Sequence, residues 1–73
     1  MKCIISIMWD DEAHVYIATS DDVPGLVMEA DSLDVLIEKA RLAIPELLEL
    51  NNRKADVIDL SFKSERHYLV SNG

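Results

Sequence analysis

The stretch His14-Val15-Tyr16-Ile17-Ala18-Thr19-Ser20-Asp21-Asp22-Val23-Pro24-Gly25-Leu26-Val27-Met28-Glu29-Ala30-Asp31-Ser32-Leu33 decides the fold. An alternating strand, a Pro-Gly turn, a short strand and a helix start follow one another along it. Val15, Ile17 and Thr19 point one way and His14, Tyr16 and Ala18 the other, which predicts a strand from Ala13 to Thr19. Pro24 presets the first central position of a β-turn, and Gly25 supplies the positive φ that a type II turn needs at the second. Leu26 to Ala30 then reads as a third strand. Ser32, or Asp31, can accept a hydrogen bond from a free backbone N–H, and Asp34 complements the positive end of a helix.

Downstream, Leu33, Leu36, Ile37, Ala40, Ala43, Ile44, Leu47 and Leu48 recur at three- and four-residue spacing. They form one apolar stripe suited to packing on a sheet. Pro45 removes the donor to the Arg41 carbonyl, which predicts a kink or a second short helix opening at Pro45. Asn51-Asn52 ends the helix, and Arg53 to Asp56 reads as a polar loop. Val57 to Lys63 alternates again, with Ile58, Leu60 and Phe62 on one face, and residues 66–70 offer a further edge strand or an extended tail.

Upstream, Lys2 to Trp9 is an Ile-rich strand with Cys3, Ile5, Ile7 and Trp9 on one face and Ile4, Ser6 and Met8 on the other. Both faces are largely apolar, so this strand is central in the sheet or covered on its second face by another subunit. Asp10-Asp11-Glu12 is a polar break of hairpin length. The apolar run is too short for a membrane span and is followed at once by acids rather than a cleavage site, so neither a membrane span nor a signal peptide is expected there.

Seventy-three residues make a single domain, 1–73, which buries only about 60% of its unfolded surface. Yet 49% of the residues are hydrophobic and the mean hydropathy is +0.06. That excess predicts self-association as a homodimer, through sheet edges or the uncovered sheet face. Fourteen acidic residues against seven basic ones give a net charge of −7 and a pI near 4.5. Such a surface repels nucleic acid and attracts basic proteins, although acidity also serves simple solubility. The single Cys3 excludes an internal disulfide framework and fits a reducing cytoplasm.

Tyr16, Asp22, Pro24, Gly25 and Ser32, followed by the stripe from Leu33, resemble the antitoxin domain HicB. They resemble still more a small prokaryotic HicB-like family of unknown function. The likeness covers roughly Lys2 to Asn52. It implies an α+β domain, β1-β2-β3-α1-β4, mainly antiparallel, with one helix across one face. In typical HicB antitoxins such a domain covers a small basic ribonuclease toxin, HicA, and a separate C-terminal module binds the operator. About twenty residues follow the helix here, so no separate DNA-binding domain is expected and autorepression does not transfer.

The resemblance and the charge together imply a non-catalytic protein-interaction module with a small basic partner. Tyr16, Asp21, Asp22, Glu12 and Glu29 are the candidate contacts: an aromatic left on a sheet face and an acidic patch. Trp9, on the adjacent strand, reads as core. The rival is a small metal- or ligand-binding enzyme using Asp10, Asp11, Glu12, Asp21 and Asp22, and a purely structural homo-oligomer is a third reading. No Gly-rich phosphate loop, nucleophile elbow or basic clamp accompanies those acids, and Cys3, His14 and His67 lack the paired spacing of a zinc site. Neither a catalytic residue, a metal nor another cofactor is therefore expected.

Lys2, Lys39, Arg41, Arg53, Lys54, Lys63 and Arg66 are dispersed rather than clustered to neutralise phosphates. The purified chain alone is expected not to retard duplex DNA in a gel-shift assay at physiological salt; a sequence-specific shift would contradict this reading of the surface.

Overall fold

The computed structural model describes residues 1–53, 55–65 and 70–72. Its elements are β1 (Lys2–Asp10), β2 (Val15–Thr19), β3 (Val27–Ala30), α1 (Leu33–Leu50) and β4 (Asp59–Glu65). The sheet order is β3-β2-β1-β4, with β1 antiparallel to β2, β2 antiparallel to β3, and β4 parallel to β1. This is the expected α+β architecture, with β1 paired along both edges. The expected extra strand at 66–70 falls outside the described residues except for Val70, which is in no strand.

Strand bounds differ from the sequence reading by one or two residues. The hairpin loop is longer than Asp10-Asp11-Glu12: β1 runs to Asp10, which pairs with Val15, and 11–14 form the turn. Asp10 itself drives this, because its Oδ1 accepts from the backbone N–H of Glu12 (3.0 Å) and of Ala13 (3.1 Å). His14 then takes a left-handed φ of 55°, which ends the turn before Val15. The third strand opens at Val27 rather than Leu26, and β4 covers Asp59–Glu65 rather than 57–63.

The Pro-Gly turn forms as read: Leu26 N–H donates to the Val23 carbonyl at 3.2 Å, and Gly25 has φ +84°. Val23 and Leu26 flank it and are both buried, so the turn is pinned from beneath. Ser32, not Asp31, is the N-cap; its Oγ accepts from Val35 N–H at 3.5 Å. The helix continues through Pro45 as one element, so no second helix opens there. Pro45 and Arg41 are both exposed, which leaves the unpaired Arg41 carbonyl close to water. At the other end, Asn52 adopts a left-handed φ of 58°, while Asn52 N–H donates to the Glu49 carbonyl and Arg53 N–H to the Leu48 carbonyl. This is a Schellman closure with asparagine where glycine is commoner.

The helix covers the face bearing Cys3, Ile5 and Ile7. These pack with Ala18, Val23, Leu26, Ala30, Leu36, Ala40, Ile44 and Leu48 in one buried core. The buried helical positions recur every four residues; Leu33, read as part of the stripe, is 37% exposed because it sits at the first turn. The helix lies against β2 and β3, off-centre from β4.

Where β2 stops pairing at Thr19, side chains continue the ladder. Asp22 Oδ2 accepts from Ile4 N–H at 2.7 Å, Ser20 Oγ donates to the Ile4 carbonyl at 2.6 Å, and Asp22 N–H donates to Ser20 Oγ at 3.1 Å. Arg53 Nη1 reaches the Asp22 carbonyl at 3.2 Å, tying the helix end to the same loop. Charge-assisted bonds of this kind contribute more than neutral ones. Asp22→Ala is expected to destabilise the fold by about 1–2 kcal/mol and Asp22→Asn by less, measured by urea denaturation. Equal stability of wild type and Asp22→Ala would contradict the ladder role.

Candidate functional site

The acidic residues chosen from sequence fall in three places. Glu12 is exposed in the β1–β2 turn. Asp21 and Asp22 lie at the other end of β1, beside Ile4. At a strand rise of about 3.4 Å per residue, Ile4 and Asp10 are roughly 20 Å apart, so these acids form no continuous patch. Asp21 is exposed, whereas Asp22 is half-buried with its carboxylate committed to Ile4. Glu29 is exposed on β3 opposite Ile17, on the face away from the helix, and its backbone carbonyl accepts from Lys39 Nζ at 3.4 Å. The expected acidic patch is therefore split, because the hairpin separates the two acidic turns along its own length.

Tyr16 points to the helix side of the sheet, opposite Trp9 on β1 and Ala30 on β3, and packs half-buried against the core. Trp9 is not core: it is 37% exposed. It occupies the helix-side face, as alternation requires, but at the end of β1 where cover is thin. Its ring tilts against Tyr16 at 4.8 Å and meets His14 edge-on at 6.1 Å. Trp9 Nε1 reaches Asp11 Oδ1 at 3.4 Å, a long hydrogen bond. The three rings brace the hairpin tip.

The opposite face of the sheet carries Ile4, Ser6 and Met8 of β1, Val15, Ile17 and Thr19 of β2, and Val27 and Glu29 of β3. Ile4, Met8 and Val27 are exposed, Val27 at 75%. Near the hairpin this face dips into an open groove of about 360 Å³ lined by Met8, Ile17 and Thr19 and by Trp9, Asp10, Asp11 and Glu12. Met8 and Ile17 are directly opposed in the antiparallel register and form an apolar floor. Acids from the turn form the rim. Sequence reasoning found the rim in Glu12 but missed the floor, because pairing Met8 with Ile17 requires the exact hairpin register.

Chemically, the groove offers apolar contact area and negative charge. Among the described residues no three His, Cys, Asp or Glu side chains gather as metal ligands. Asp10, a candidate ligand, spends one oxygen on its own turn. Cys3 is buried, and that burial, followed by the nearby Asp22 charge, pushes its thiol above the ordinary cysteine range. It remains protonated and serves as a small core side chain. Among the described residues no helix is long and apolar enough to cross a membrane.

The model of a domain of unknown function, DUF1902, matches residues 2–70, and the chain belongs to that family. It is similar to a hypothetical protein from the extremely thermophilic bacterium Thermus thermophilus, known from a crystal structure. The two are 37% identical, with a TM-score of 0.84 over 96% of this chain and 100% of that one. Comparison with curated proteins gives no match.

Proposed function

We propose that this chain is a non-catalytic, HicB-like protein-interaction module that binds a small basic protein at the hairpin end of its uncovered sheet face. The groove carries this reading: an apolar Met8–Ile17 floor beneath Asp10, Asp11 and Glu12. Buried apolar contact at the centre of an interface supplies affinity, while a charged rim supplies encounter rate and discrimination. A net charge of −7 extends that attraction over the whole molecule. The HicB resemblance supports the same class of partner, a compact basic toxin of the HicA kind, in the reducing interior of a prokaryotic cell.

Two of the candidate contacts keep their roles in this proposal. Glu12 belongs to the rim, and Glu29 extends the acidic border on β3. Tyr16 acts indirectly by supporting Trp9, and Asp22 by holding β1 in place.

The test is co-expression of the tagged chain with a small basic HicA-type protein, followed by affinity purification. A complex is expected to co-purify. Asp11→Lys/Glu12→Lys is expected to weaken it roughly tenfold or more at low salt, and Met8→Asp to abolish it, both variants remaining folded. Failure of the wild-type chain to co-purify would argue against the reading, as would a complex indifferent to all three substitutions.

A further inference from the structure

We propose that β4 is a self-complementary edge through which two copies of this chain join into one continuous eight-stranded sheet. The proposal gives a surface to the self-association expected from composition and is independent of the groove, which lies across β1 from β4.

β4 is an outer strand of seven residues, against four in the other outer strand, β3, and no described strand pairs with its outer side. Asp59 N–H donates to the Met1 carbonyl at 2.7 Å, so the backbone groups of Asp59 face β1. Backbone polar groups alternate sides along a strand. Ser61 and Lys63 therefore also face β1, and Leu60, Phe62 and Ser64 present their N–H and C=O groups to the outer edge. An unpaired edge of this length is a template for another strand.

Charge selects which strand. Two β4 strands related by a two-fold axis through Ser61 run antiparallel. Leu60 then exchanges both backbone hydrogen bonds with Phe62 of the partner subunit, and the reverse pair does the same. Asp59 stands directly opposite Lys63 of the partner subunit in a non-hydrogen-bonded pair, the type in which side chains lie closest. Both Asp59 and Lys63 are exposed. Moving the axis to Leu60 sets Asp59 against Ser61 and Lys63 against Val57; moving it to Phe62 sets Lys63 against Ser61. Centres at Asp59 or Lys63 oppose like charges. A centre at Ser64 sets Lys63 against Glu65 but leaves Asp59, Leu60 and Phe62 beyond the end of the partner's β4; only the Ser61 register pairs Asp59 with Lys63 and joins the outward backbone groups of Leu60 and Phe62 together.

Packing agrees. The axis is normal to the sheet, so both helices stay on one side. Each helix lies over β2 and β3, away from the join. Leu60 and Phe62 pack against the core on that side but are only half-buried. Pairing sets each Leu60 beside the partner's Phe62, completing apolar cover that the single subunit lacks.

Sedimentation velocity of the purified chain and three variants tests this, with circular dichroism confirming that each is folded. The wild type is expected to sediment as a dimer at tens of micromolar. Asp59→Lys and Lys63→Asp each place like charges opposite one another twice and are expected to weaken the dimer about tenfold or more. The double variant Asp59→Lys/Lys63→Asp restores opposite charges and is expected to return to near wild-type affinity. A monomeric wild type would overturn the proposal. So would a dimer that either single variant leaves intact, or one that the double variant fails to restore; these two place the join elsewhere and leave the groove reading untouched.

Discussion

The structure depends on one strand being held from both sides. Ile4 turns its backbone N–H and carbonyl toward the β2 side, where Asp22 and Ser20 receive them. Alternation then sends the groups of Cys3, Ile5 and Ile7 to β4, which pairs in parallel with β1 over Lys2–Met8. The side chains of these same three residues enter the core beneath the helix. Backbone pairing and side-chain burial thus converge on the same residues, and the elements of the domain are organised around them.

The asymmetry of cover follows from that arrangement. A single helix of eighteen residues cannot blanket four strands, and the short β3–α1 connection keeps it over β2 and β3. The short link holds Ala30 and Leu36 in the same core and leaves β4 partly uncovered on the helix side. Among the described residues, no layer covers the opposite face. A chain of this size cannot bury all its apolar surface alone. Part of the excess is left at exposed Met8 and half-buried Ile17 on one face and at half-buried Leu60 and Phe62 on the other. The groove is lined by β1, β2 and their turn, and the outer edge of β4 lies beyond β1, so the proposed partner and the proposed second copy use separate surfaces.

The order of elements was readable because it rests on local chemistry. Gly25 with positive φ after Pro24, the Ser32 cap and the four-residue recurrence from Leu36 to Leu48 each act within a few residues. Placement across the sheet was less readable. Nothing local shows that β4 returns parallel to β1, or that Met8 meets Ile17, since both depend on register. Alternation puts Trp9 on the core face, but a strand end can outrun the helix that covers it. Asp22 looked like surface charge because acids crowd turns; its bond to Ile4 joins residues eighteen apart and appears only in three dimensions. The acidic residues that sequence grouped together sit at opposite ends of the hairpin for the same reason.

Backbone amide hydrogen exchange along β1, read residue by residue by NMR, tests this account most directly. If β1 is clamped by both neighbours, the amides of Ile4 and Ser6, facing β2, and of Cys3, Ile5 and Ile7, facing β4, exchange together and only through global unfolding. Fast exchange at Cys3, Ile5 and Ile7 beside slow exchange at Ser6 would mean that β4 is not a partner of β1, and the central claim would fail.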